Sequence, residues 1–174
     1  IYHDALLRTA DCNYAMREYE SALKYYNDAI LEKASSSDYA LFQRGVIQGL
    51  QGDAEEKSKT LTSLLGSYPK SRYRADALFE RGRAYMANGD SEKAKENFNL
   101  LLKEFPGSQY AKRSQLNIAL VYYNNKQDEL ALAQFKKVIG TYPGTPEAAE
   151  ALNSVKNIYI SNGKPDDYFA YVKN

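Results

Sequence analysis

The sequence predicts an all-α solenoid of about five helix pairs, and three observations predict it. First, Tyr68-Pro69, Phe105-Pro106 and Tyr142-Pro143 recur at one interval, since 106 − 69 and 143 − 106 are both 37. Second, other residue types fall into register with those prolines. Gly45, Gly82 and Ala119 make one small-residue column, and Gly52, Gly89, Lys126 and Gly163 make another. Leu41 and Leu78 align, with Leu116 one residue out of step, and Gln48 is followed by Tyr85, Tyr122 and Tyr159. Ala94 and Ala131 stand four residues before Phe98 and Phe135. Third, helix start and stop signals punctuate each period at matching places.

Along one period, each element has its reason. Ser71, Ser108 and Thr145 stand two residues after each proline. They are expected to cap the first helix, because a hydroxyl there accepts a bond from an orphaned backbone N–H. Thr145-Pro146-Glu147 adds a proline at the first helical position and an acid in the first turn. A helix of about 16 residues follows, with apolar residues such as Leu78, Tyr85 and Met86 at helical spacing. It stops near Gly89, which without a Cβ can take the left-handed closing conformation. Asp53 and Asp90 come directly after such glycines and are expected to cap the second helix; Glu56, three residues after Asp53, suggests a capping box. The second helix carries Ala94, Phe98, Leu101 and Leu102 on one face and ends at Phe105-Pro106. The unit is helix, tight turn, helix, proline-marked turn.

This pattern resembles the tetratricopeptide repeat: a small residue mid first helix, tyrosine three later, Gly-Asp at the turn, Ala and an aromatic in the second helix, then proline. The resemblance covers essentially the whole chain. It implies a single domain over 1–174, a right-handed superhelix with repeats at about 3–36, 37–70, 71–107, 108–144 and 145–174. In the first copy Ala10, Tyr19, Ala22, Tyr26 and Ala29 match, and Ala34 stands where proline would. The second departs at Lys57 and Leu61, so its second helix is expected to pack less regularly. In the fifth, Lys156 replaces the small residue, and the shortened helix after Pro165 reads as a terminal cap. Ordinary copies are about 34 residues long. The junctions YPKSRYRADAL, FPGSQYAKRSQL and YPGTPEAAEAL are similar to those of repeat proteins in Gram-negative envelopes. Those include the Tol–Pal-associated coordinator, the lipoprotein of the outer-membrane β-barrel assembly machine and long Bacteroides-type repeat proteins. The resemblance implies a periplasmic or outer-membrane-associated place, and a cytoplasmic one stays open. The chain opens at Ile1 inside a helical pattern and reads as a fragment of a longer repeat protein.

The 174 residues hold 23 basic and 22 acidic side chains, a net +1, so nucleic acid and anionic membrane are not expected partners. No apolar run approaches the roughly 18 residues that a membrane span needs. Cys12 has no internal partner for a disulfide and reads as a buried structural thiol. His3 is the one histidine, and no Cys/His/Asp cluster at ligand spacing accompanies it. Asn162-Gly163-Lys164 lacks the glycine and hydroxyl of a phosphate loop. Glu55-Glu56 and Asp166-Asp167 complement helix dipoles. No catalytic residue, cofactor or metal is expected.

Binding is expected instead. The resemblance implies that first helices line a concave face. On it stand Tyr39, Phe42 and Val46 from the second copy, Phe79, Arg83 and Met86 from the third, and Arg113, Leu116, Leu120 and Tyr123 from the fourth. Apolar, aromatic stripes of this kind mark interaction sites, and Arg83 and Arg113 could orient a partner's carboxylates. The carboxylate clamp of the chaperone-cochaperone members needs Lys and Asn on successive first-helix turns. Leu7/Asp11, Phe42/Val46, Phe79/Arg83, Leu116/Leu120 and Asn153/Asn157 do not supply it. The expected function is a non-catalytic protein–protein interaction scaffold that takes a protein or peptide partner. A structural spacer, a self-association segment of a longer array and an adaptor domain of a larger protein stay open beside it.

Overall fold

The computed structural model describes residues 2–34 and 36–173; Ile1, Ser35 and Asn174, within the expected domain of 1–174, lie outside them. Among the described residues there are ten helices and no strand: α1 (Tyr2–Ala15), α2 (Tyr19–Leu31), α3 (Ser37–Leu50), α4 (Ala54–Ser67), α5 (Arg74–Ala87), α6 (Ser91–Glu104), α7 (Ala111–Asn124), α8 (Asp128–Thr141), α9 (Pro146–Ser161) and α10 (Pro165–Lys173). They fall into two compact units, 1–93 and 94–174, divided within α6. In the first, α1 packs on α2, α2 on α3, α3 on α4 and α4 on α5. In the second, α7 packs on α8, α8 on α9 and α9 on α10.

The expected glycine column closes the first helix of every pair. Gly52, Gly89 and Gly163 take φ of 81°, 76° and 68°, and Lys126 is held at 59° in the same position. Arg17, at 62°, supplies the fifth member. Each turn is a Schellman motif with the same two bonds. At Gly52 the Asp53 N–H reaches the Gln48 carbonyl at 2.9 Å, and the Gly52 N–H reaches Gly49 at 3.2 Å. The second helices begin as expected at Asp53 and Asp90, whose carboxylates accept from the N–H groups of Glu56 (3.0 Å) and Lys93 (3.3 Å). The Glu56 side chain pairs with Lys59, so the capping box closes from one side only.

The proline junctions correct one expectation. Thr145 caps α9, its Oγ1 accepting from the Ala148 N–H at 3.3 Å. Ser71 and Ser108 do not cap helices. Each sits in an extra turn closed by backbone bonds, Ser71 N–H to the Tyr68 carbonyl and Arg74 N–H to the Ser71 carbonyl, with the same pattern at Phe105, Ser108 and Ala111. Tyr73 and Tyr110 take the cap positions without a side-chain bond. Pro146, preset for the first helical turn, lets α9 start sooner after its proline than α5 and α7 do. That earlier start puts Val155 in the buried position and leaves Lys156 exposed.

The small-residue column lies where helices touch. Ala10 and Tyr26 are both fully buried in a first-unit cluster with Leu6, Ala22, Ala29 and Ile47. In the next pair Gly45 faces Leu61 so closely that a Cβ at 45 would stand 2.9 Å from Leu61 Cδ2. Leu61 is itself fully buried, so α4 packs tightly in spite of its departures from the pattern. In the second unit Leu116, Ala119, Ala131, Phe135, Val138, Val155 and Ile158 form one fully buried cluster. No residue of α10 is buried, and Phe169 and Val172 stand exposed on it. Cys12 is exposed rather than buried. It stands two residues, about 200° around the helix, from the buried Ala10.

Candidate functional site

In the first unit, Tyr39, Phe42 and Val46 follow one another at helical spacing along α3, and all three are half-buried. Their surface is fixed from below by a carboxylate. Asp11 on α1 accepts, at one oxygen, the Tyr26 hydroxyl of α2 at 2.6 Å and the Tyr39 hydroxyl at 2.7 Å. Gln43 donates to the same Tyr39 hydroxyl at 2.9 Å. Burial, then the bond to Asp11, pushes both phenols above their ordinary range. Three helices are thereby tied at one point, and the ring of Tyr39 is held against that of Tyr26 at 6.2 Å, edge to face.

Tyr73, not among the expected face residues, joins this surface. It lies just before α5 and stacks flat on Phe42, with centroids 5.4 Å apart and planes 11° from parallel, and sits 5.6 Å from the ring of Tyr39. The Arg72 guanidinium lies 4.8 Å from its centroid. Ser71, freed from capping, donates to Asp38 at 2.6 Å and so fastens the junction to the start of α3. The signal was present in the aromatic-Pro-x-Ser-x-Tyr junction, whose last residue is this tyrosine.

Phe79, expected on the face, is 7% exposed and belongs to the core. Arg83 is exposed and pairs with Glu80 at 3.2 Å. Glu80 also takes Lys57, which reaches it from α4 and is nearly buried. Met86 is half-buried. Beside Lys57 and Arg83 a pocket of about 180 Å³ opens, walled by Gly49, Gly52, Ala54 and Ala87.

In the second unit, Leu116 is fully buried and is no part of an accessible face. In the 37-residue frame it shares a column with Phe42 and Phe79, and like Phe79 it is buried. Leu120 and Tyr123 are half-buried against the core, Tyr123 edge-on to Phe135 at 6.2 Å. Arg113 is engaged by Glu150, the residue one period later. Both arginines expected to await a partner's carboxylates thus already have one from the chain.

Among the described residues no three His, Cys, Asp or Glu side chains gather as a metal site, and no helix is long and apolar enough to cross a membrane.

Residues 4–32 and 39–71 match the tetratricopeptide repeat family, and residues 75–155 match the family described as outer membrane lipoprotein YfiO. Solved structures similar in fold include MamA, at TM-score 0.80 and 17% identity over 98% of this chain and 88% of that one. A tetratricopeptide repeat protein from Parabacteroides merdae has TM-score 0.78 and 20% identity over 97% of this chain, which spans 64% of that protein. YrrB, described as having an unusual peptide-binding site, has TM-score 0.70 and 18% identity over 91% of this chain and 77% of that one. No curated protein matches the sequence. The fold is that of the tetratricopeptide-repeat proteins, and residues 4–32 and 39–71 match that family's repeat.

Proposed function

We propose that the chain is a non-catalytic interaction scaffold of a bacterial envelope, which receives a protein or peptide partner on its first-helix faces. The observation that carries this reading is the half-buried aromatic surface of Tyr39, Phe42 and Tyr73, held in place by Asp11 and Ser71. Aromatic side chains whose rotamers are already fixed lose little entropy on binding and serve as interface anchors. Leu120 and Tyr123 are the corresponding candidates in the second unit. The envelope placement is supported by the match of residues 75–155 to an outer membrane lipoprotein family and by the junction sequences.

The test compares wild type with a Phe42→Ala/Val46→Ala variant in capturing proteins from a Gram-negative envelope extract. Both residues are half-buried, so the variant keeps its helical circular dichroism and loses its partners. Undiminished capture by the folded variant would remove this face from the proposal. The spacer reading draws support from the uncovered Phe169 and Val172 of α10, and sedimentation tests it. Concentration-dependent association lost in Phe169→Ser would favour it.

A further inference from the structure

The pocket beside α3, α4 and α5 is built from departures from the repeat. In the first, third and fourth copies position 57 is matched by Ala22, Ala94 and Ala131, all fully buried. A lysine there points at the first helix of its own pair and would collide with an ordinary side chain. At the point of collision α3 carries Gly49, in a column otherwise of Tyr14, Met86, Tyr123 and Ile160. A Cβ at 49 would stand 2.9 Å from Lys57 Nζ and 3.0 Å from its Cδ. The glycine is what lets the ammonium through. Arg83, in a column that also holds Asp11, Val46, Leu120 and Asn157, sets a guanidinium at the same opening.

The charges do not balance. Lys57 and Arg83 share the single carboxylate of Glu80. Lys57 has further ammonium protons, and Arg83, held to Glu80 through one guanidinium nitrogen and with a side chain 58% exposed, keeps further N–H donors for a ligand. The remaining wall, from Gly49, Gly52, Ala54 and Ala87, offers room and no competing charge. A volume near 180 Å³ corresponds to about six waters, enough for one carboxylate-bearing side chain.

We infer that this pocket receives an acidic side chain, glutamate or aspartate, of the partner polypeptide. The inference rests on the proposed binding face and gives that face a polarity: aromatic at the start of α3 and anion-seeking at its end. The second cation comes from a second helix, which is why first-helix positions alone do not reveal it.

The test is a titration of the whole chain, read on backbone amide resonances. The probes are N-acetyl-glutamate methylamide, its glutamine counterpart, and N-acetylalanine as a bearer of a terminal carboxylate. Saturable shifts at Gly49, Gly52 and Ala87 with the glutamate probe and not with the glutamine probe are expected. Arg83→Gln, an exposed substitution, should weaken them about tenfold or more, as loss of a charged hydrogen bond does. Lys57→Met should abolish them, with melting followed in parallel. Equal shifts from both amide-capped probes, or none, would overturn the pocket while leaving the Phe42 capture result intact. Tighter binding of N-acetylalanine would overturn the side-chain assignment in favour of a chain terminus. Failure of the capture experiment alone would leave the pocket readable on its own.

Discussion

Replacing Gly45 by alanine sets two known effects against each other. In an exposed helix the change stabilises by about 1 kcal/mol, because alanine loses less backbone freedom than glycine. Here the new methyl would lie 2.9 Å from Leu61 Cδ2 and 3.1 Å from its Cγ. The terminal methyl alone could rotate away, but Leu61 is fully buried and its Cγ cannot move without shifting α4. Overpacking of this kind costs about 1–3 kcal/mol, so the net change is a loss between roughly zero and 2 kcal/mol. Gly66→Ala is the control, since a Cβ there meets nothing within 4 Å; it should gain up to about 1 kcal/mol. The assay is urea unfolding read by circular dichroism and compared at unchanged slope. Leu61→Ala alone should cost about 2–5 kcal/mol, and combining it with Gly45→Ala should recover about 1 kcal/mol or more as coupling. If Gly45→Ala stabilised as much as Gly66→Ala and added independently to Leu61→Ala, the close helix contact would be refuted.

Lys126→Gly should stabilise by up to about 1 kcal/mol, since φ of 59° strains a side-chain-bearing residue at a position glycine fills in three other turns. Gly89→Ala, at φ 76°, should cost about as much; a thermal melt reads both. Leu116→Ala should cost about 2–5 kcal/mol as a core truncation, and a loss below 1 kcal/mol would return Leu116 to the surface. Tyr26 and Tyr39 have phenols raised in the folded state, so their contribution is complete below the unfolded value near 10 and is lost as pH rises above it. Stability should fall as pH rises above 10, by up to about 1.4 kcal/mol per pH unit for the fully buried Tyr26 and by less for Tyr39, and Tyr26→Phe/Tyr39→Phe should flatten that slope.

The repeat made most of the fold legible, because solenoid packing is local and each copy reports on the others. Arg17 and Lys126 show how far this reaches. Neither is a residue type that advertises a left-handed turn, yet period and alignment place Lys126 there. Ser71 and Ser108 show where it stops. Hydroxyl residues suit caps and turns for the same reason, a short side chain that bonds nearby backbone. Nothing in the serine itself says whether the helix starts there or one turn later. Pro146 carried that information at Thr145, and Arg72 and Gln109 did not at the other two junctions.

Faces were harder to read than elements, because about one residue of phase separates a groove side chain from a core one. Phe79 and Leu116 share a column with the half-buried Phe42, and both turn into the core instead. The columns serve better as a baseline against which departures can be paired. Taken alone, Lys57 is a defect in the α4 pattern and Gly49 a small residue on α3. Together they are a charge and the gap it passes through. A buried ion pair adds little to stability compared with apolar side chains of equal volume, so packing alone gives no reason for both changes. Arg17 and Lys126 are departures too, but each stands alone in an exposed turn and opens no space. Coupled departures that create a charged opening therefore say more about a site than aromatic content does, and in the pocket beside Arg83 the departures at Lys57 and Gly49 meet.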